Sequence, residues 1–212
     1  MKKTIILVLL ALCLAVTACA ESITKNSDSI FGEIDGDIYE NSRLGISCTL
    51  EGWHYYSEEE IATVNQLTKD RLTEDFQKLM ELAKPINIMV AQDPGNTQNV
   101  NIQIQNVEAS VAVIKTAGMQ MLAEASLPQF RTTLESAGFT DAELSVGDIT
   151  VGGRTMTGVI GSYTLQGFKM YFKQPWILSG DYLVTMTVTS VLEDTTDEIL
   201  ANFTVQQEEP AA

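Results

Sequence analysis

Residues 154–191, RTMTGVIGSYTLQGFKMYFKQPWILSGDYLVTMTVTSV, contain the strongest fold signal in the chain. Apolar and polar residues alternate after Gln166–Gly167 and again after Ser179–Asp181, a period of two that is typical of half-buried strands. The stretch before it, Glu143–Val151, ends at Gly152–Gly153, which suits a two-residue hairpin turn. The sequence therefore predicts an antiparallel meander of four strands.

Four more strands are predicted upstream. Ile38–Glu40 and Leu44–Leu50 flank a short turn, and Ile86–Ala91 leads through Asp93–Asn96 into residues 100–105. In residues 100–105 Val, Ile and Ile alternate with Asn, Gln and Gln, so one face should meet a core and the other water.

Helices are predicted between these strand pairs and after the meander. Ser57 and Glu60 have the spacing of a capping box, which begins a helical region over 58–84 that ends at Pro85. A second region covers 110–137, where we expect Pro128 to split or kink the helix. A final helix is predicted over 193–203.

The amino-terminal residues predict a secreted and lipid-anchored chain. Lys2 and Lys3 precede an apolar run over 5–16, and Val16-Thr17-Ala18-Cys19 resembles the lipobox of bacterial lipoproteins. We therefore expect a signal peptide at 1–18, a lipid (palmitate-containing) attachment at Cys19, a flexible tether at 19–36, one domain at 37–205 and a disordered tail at 206–212.

The charge balance limits the kinds of partner that the protein can bind. The chain carries 28 acidic and 13 basic residues, a net charge of −15, and the predicted signal removes only basic ones. Such a surface repels phosphate backbones, so we expect no nucleic-acid partner. We expect the membrane to be reached through the lipid, because a polar tail that clings to anionic headgroups needs clustered Lys and Arg.

The element order and two motif-bearing segments resemble a known superfamily. The opening segment IYENSRLGISCTLEGWHYYSEEEI carries Tyr39, Asn41, Gly45, Trp53 and Ser57. The closing segment GDYLVTMTVTSVLEDTTDEILANF ends on Ile199, Leu200 and Phe203. Over 37–205 the chain is similar to Firmicutes-type lipoproteins of the PsbP/Mog1-like superfamily. The resemblance implies an α+β fold in which an antiparallel β-sheet is flanked by helices on both faces, an α/β/α sandwich. It transfers no functional residue, because its motifs are structural.

Few residues are candidates for ligand binding or catalysis. Trp53, Tyr55 and Tyr56 are weak candidates for a ligand groove, and Tyr171 with Trp176 for another, although packing of helices on strands is the interpretation we favour.

Cys48 and His54 would have to meet to form a nucleophilic pair, but Cys48 lies in an alternating strand where small thiols pack. Of the three cysteines, Cys13 is expected to leave with the signal and Cys19 to carry the lipid, and the remaining Cys48 with the single His cannot form a zinc set. Asp35–Asp37 lacks the spaced ligands of a calcium loop, and Glu58–Glu60 and Glu193–Asp194 are expected to complement helix starts. We therefore expect no catalytic residue, no metal and no cofactor.

These observations predict a membrane-anchored lipoprotein on the extracytoplasmic side of the cell membrane. We expect a non-catalytic binding or accessory module for an unknown protein or envelope component. Two alternatives stay open: a hydrolase that uses carboxylates on an envelope glycan or peptide, and a lipoprotein that captures a small ligand.

The anchor gives a direct prediction. In cells labelled with palmitate, we expect the protein to be labelled and its processing to be blocked by globomycin, because Cys19 is the residue that accepts the lipid. Cys19→Ser should abolish the label, whereas Cys48→Ser should keep it. A label that persists in Cys19→Ser would show that the lipid assignment is wrong.

Overall fold

The computed structural model describes residues 30–66 and 85–206. Its strands are β1 Glu33–Asp35, β2 Ile38–Asn41, β3 Ile46–Thr49, β4 His54–Tyr55, β5 Ile86–Gln92, β6 Gln98–Asn106, β7 Thr140–Val151, β8 Arg154–Leu165, β9 Phe168–Ser179, β10 Tyr182–Val191 and β11 Phe203–Val205. Its helices are α1 Glu58–Val64, a short 3₁₀ helix Glu108–Ser110, α2 Val111–Ala117, α3 Met119–Ser136 and α4 Thr196–Leu200.

The strands form two antiparallel sheets. The large sheet has the order β4-β5-β6-β10-β9-β8-β7, and the small sheet has the order β1-β2-β3-β11. The predicted α+β class, the hairpin β2–β3, the pair β5–β6 and the meander β7–β10 are confirmed.

The main core lies between the two sheets and is organised by the pairing of β6 with β10. This pairing sets three fully buried apolar pairs opposite each other: Val100–Val188, Ile102–Met186 and Ile104–Val184. Tyr39, Ile46 and Phe203 of the small sheet pack against the same core. Full burial of each aliphatic side chain of this size contributes about 1.5–3 kcal/mol, so this layer is a main source of stability.

Helices cover part of the opposite face of the large sheet. Helix α3 packs on β7 and β8 through a second cluster that includes Val159, Phe172 and Trp176, and α1 packs on β5 around Val90. On the core side the large sheet meets the small sheet and the five-residue helix α4. The small sheet was not predicted as a separate layer.

Helix α1 begins as the sequence predicts. Ser57 is the N-cap, its hydroxyl accepts a hydrogen bond from the Glu60 N–H, and Glu60 Oε2 accepts one from the Ser57 N–H at 2.8 Å. The helix ends at Val64, and the rest of the predicted helical region, residues 67–84, lies outside the described residues.

Three boundaries predicted from sequence are wrong. The predicted tether ends at residue 36, but in the structure Ile30 is already buried and β1 pairs with β2. Ile34 of β1 packs against the main core, which holds this segment in place. Residues 19–29 of that segment lie outside the described residues, as does Cys19.

The second helical region breaks at Gly118, and Pro128 lies inside α3. Gly118 has φ +85°, a conformation that costs glycine little, and its N–H closes α2 by donating to Ile114 O. Leu127 and Phe130 face the second cluster as expected, and Leu134 is buried, whereas Ala137 is exposed.

The final helix spans only Thr196–Leu200, and Phe203 begins β11. Ile199 and Leu200 are buried from the helix, while Phe203 reaches the same core from a strand that pairs with β3. The apolar spacing is compatible with one helix, but the free edge of β3 is satisfied only if the chain becomes extended after Ala201.

The space around the two glycines of the β7–β8 turn gives a stability prediction. Gly152 and Gly153 have φ +53° and +85°, as a type I′ turn requires. A Cβ on Gly152 would lie 2.0 Å from Phe203 O, whereas a Cβ on Gly153 would meet nothing within 4 Å. Gly153→Ala should therefore cost only the positive φ, about 1–2 kcal/mol.

Gly152→Ala should cost at least about 2 kcal/mol more, because β11 must move away. Urea unfolding of the two variants measures the difference. Equal losses would contradict the close packing of β11 on this turn.

Candidate functional site

The aromatic candidates do not meet in one groove. Tyr55 and Trp53 pack against the edge of the main core, whereas Tyr56 is buried against α1 and Val90. Successive side chains of a strand point to opposite faces, so Tyr55 and Tyr56 diverge.

The second aromatic pair also diverges. Tyr171 lies opposite Ser190 on the core side, and Trp176 lies opposite Thr185 on the side of α3. Neither aromatic set therefore forms a shared groove.

Cys48 is a packing residue in this structure. Its side chain is buried, and Sγ lies 3.6 Å from the Tyr55 hydroxyl, which donates to Asp37 O at 3.0 Å. Burial raises the pKa of the Cys48 thiol to about 11, opposite to the shift that activates a nucleophile. His54 is exposed and lies 3.4 Å from Glu60 Oε1, so the structure pairs it with a carboxylate of α1 and not with Cys48.

The acidic groups singled out in the sequence lie at helix starts and in turns. Burial raises the pKa of Glu60, but hydrogen bonds from Ser57 and the contact with His54 outweigh it and leave the pKa below its ordinary value. Asp194 accepts hydrogen bonds from the N–H and hydroxyl of Thr196, before α4. Asp37 accepts a hydrogen bond from the Gly52 N–H.

In the described ranges, no three His, Cys, Asp or Glu side chains cluster as metal ligands.

A row of uncharged polar side chains crosses the large sheet on the side of α1 and α3. The register of β5, β6, β10 and β9 brings these residues to one face. We call this surface the amide face, formed by Asn87, Asn99, Asn101, Gln103, Gln105, Gln174, Thr185, Thr187 and Thr189. All are half-buried except Gln174, which is buried.

Asn87 holds one half of the amide face together. Its Oδ1 accepts from Asn101 Nδ2 and from Gln103 Nε2, both at 3.1 Å. Asn65, the last residue of the α1 region, accepts from the Asn87 N–H at 2.8 Å and donates to Asn87 O at 2.9 Å. The amide groups are therefore held in fixed orientations.

Gln174 holds the other half. Its Nε2 donates to Thr187 Oγ1 at 2.8 Å, and its Oε1 accepts from Trp176 Nε1 at 3.0 Å. This pair joins the polar row to the cluster under α3, because Trp176 belongs to that cluster.

The amide face keeps hydrogen-bonding capacity. Asn101 and Gln103 use their amide nitrogens toward Asn87, and no hydrogen bond from the part of the chain that the structure describes reaches their side-chain oxygens. Each oxygen can accept a hydrogen bond from a ligand. The surface suits neutral hydroxyl or amide groups, since an ion would find no opposite charge on these nine residues.

The sequence prediction missed this surface. It assigned the outward side chains of residues 100–105 to water. The available signal is composition: charged residues make up 19% of the chain, yet none occurs at the nine positions. Strand faces in free contact with water usually carry charged residues among the polar ones.

Comparisons with known proteins identify no family. No family model and no curated protein matches the chain. A solved structure from Bacteroides thetaiotaomicron aligns with 82% of this chain at 10% identity and a TM-score of 0.38, and the chain spans half of that protein's length. A protein of unknown function from Pseudomonas aeruginosa aligns with 48% of this chain, and with 66% of its own length, at 12% identity and a TM-score of 0.28.

Among the helices in the described ranges, none combines the length and the apolar content that crossing a membrane requires.

The buried thiol gives a pH prediction. The pKa of Cys48 rises from 9.0 to about 11 in the folded protein, so its contribution to stability is complete below pH 9 and is lost as the pH rises toward 11. The free energy of unfolding should fall between pH 9 and 10 by about 1 kcal/mol.

Urea unfolding at several pH values measures this slope, and Cys48→Ala should flatten it. Tyr39 and Tyr55 also have raised pKa values but ordinary values of 10.0, so they contribute mainly above this window. Parallel pH profiles for the two proteins would contradict the assignment to Cys48.

Proposed function

We propose that the protein is a non-catalytic, lipid-anchored binding module on the extracytoplasmic side of the cell membrane, held there through Cys19. The apolar run, the lipobox-like residues and the polar segment before Ile30 support the location. We also propose membership of the PsbP/Mog1-like superfamily, with helices on both faces of the large sheet, on the sequence motifs given above.

The amide face carries the binding proposal. It holds nine uncharged polar side chains on the strands of the large sheet, and the network around Asn87 orients Asn101 and Gln103 in advance. A pre-oriented site loses less side-chain entropy on binding than a mobile one.

The ligand class follows from this chemistry. Amide oxygens and threonine hydroxyls complement hydroxyl and acetamido groups, and a neutral ligand avoids the repulsion that the net charge of −15 imposes on anions. We propose an envelope glycan bearing N-acetyl groups as the ligand of this face.

Binding of the neutral oligosaccharide tetra-N-acetylchitotetraose tests the proposal. We expect Asn101→Ala with Gln103→Ala to weaken binding by about tenfold, because two hydrogen bonds of about 0.5–1.5 kcal/mol each are lost. Titration calorimetry measures the affinity, and circular dichroism checks that the fold is kept.

Ser145→Ala with Thr150→Ala, at exposed positions of β7, is the matched control and should leave the affinity unchanged. No binding by the unaltered protein, or the same loss in both double variants, would reject the amide face as the glycan site.

A further inference from the structure

The two sheets differ sharply in how their edges are formed. The small sheet ends in β1 and β11, of three residues each, and one edge of the large sheet is β4, of two residues. Short edge strands offer little backbone for pairing with another chain. The other edge of the large sheet is β7, which has twelve residues.

The turn after β7 identifies which backbone groups face outward. In a two-residue hairpin the flanking residues, here Val151 and Arg154, form a hydrogen-bonded pair, and such pairs alternate along the strands. Ser145, Gly147 and Ile149 therefore bond to β8.

The N–H and C=O groups of the intervening residues point away from the sheet: Leu144, Val146, Asp148 and Thr150. No hydrogen bond from the described parts of the chain reaches these groups. At the start of the edge, Arg131 Nη1 donates to Ala142 O at 2.5 Å and so occupies one outward carbonyl.

The charged side chains on this edge determine which kind of strand can pair with β7. Asp141, Glu143 and Asp148 are exposed, and β7 contains no Lys or Arg. A second copy of the chain would place carboxylates beside carboxylates, which is destabilising across paired strands. A cationic strand would instead be attracted, both locally and by the net charge of −15.

The apolar side chains of β7 give such a strand a place to pack. Leu144 and Val146 are half-buried and pack against the cluster beneath α3. An added strand would lie beside α3 and extend this apolar surface with alternate side chains, as in other cases of strand addition.

We infer that the β7 edge, from Leu144 to Thr150, binds an extended, Lys- or Arg-bearing segment of another protein, which pairs with β7 as an eighth strand of the large sheet. The acidic side chains exclude further copies of this chain and admit the cationic segment. This protein-binding edge is separate from the amide face, so either proposal can fail while the other stands.

The test uses the full-length protein and an alternating Lys–Val octapeptide as the probe. Hydrogen exchange with the peptide present should slow at the amides of Val146, Asp148 and Thr150. A second peptide, identical in sequence but N-methylated at alternate residues, keeps the charge and loses the backbone donors. It should bind at least about tenfold more weakly, because the ladder supplies the affinity in strand addition.

Two double variants separate the edge from general attraction. Glu143→Gln with Asp148→Asn should weaken the Lys–Val peptide by about five- to tenfold at low salt. Glu51→Gln with Glu193→Gln removes the same charge from exposed positions elsewhere and should change binding far less.

The inference is overturned by equal effects of the two double variants, by N-methylation without effect, or by an absence of exchange protection on β7. Saturable binding of the matched Glu–Val peptide with the same affinity would also overturn it. Slowed exchange at β7 that is lost on N-methylation and weakened selectively by the Glu143 and Asp148 changes supports it.

Discussion

The pairing of β6 with β10 is the constraint on which the other layers depend. It joins the β5–β6 hairpin to the meander, and it places three fully buried apolar pairs on the side that meets the small sheet. A shift of one residue in either strand would turn its three buried side chains to the opposite face and bring the amide-face residues of that strand into the core. Burying these amides or hydroxyls away from their present hydrogen-bond partners is costly, so the same alternation fixes both the core and the polar surface.

Local patterns predicted the elements well, and nonlocal pairing limited the rest. Gly152–Gly153, Asp93–Asn96 and the Ser57 capping box are short-range signals, and the structure confirms each. The strand β11 could not be predicted in this way, because Phe203 fits the apolar side of a helix as well as the free edge of β3. Pro128 was the stronger local breaker, yet Gly118 ends the helix, since its positive φ redirects the chain there.

The candidate site shows the same limit for function. Sequence reasoning looked for reactive or aromatic groups, and the structure disperses them: Tyr55 and Tyr56 point to opposite faces, and Cys48 contacts Tyr55 instead of His54. The amide face has no single conspicuous residue, and only the register shows that its members from four strands adjoin. The amide face gives the domain a neutral surface within a strongly acidic chain. The β7 edge is a separate, acidic surface that suits a cationic partner instead of a neutral one.

The small sheet has a consequence for the order of assembly. Strand β3 gains one neighbour from the adjacent β2 but the other from β11, which is made more than a hundred residues later. The second edge of β3 must therefore stay unpaired until the carboxyl-terminal residues are present. A chain truncated before Phe203 would leave this edge open for quality-control proteases to recognise.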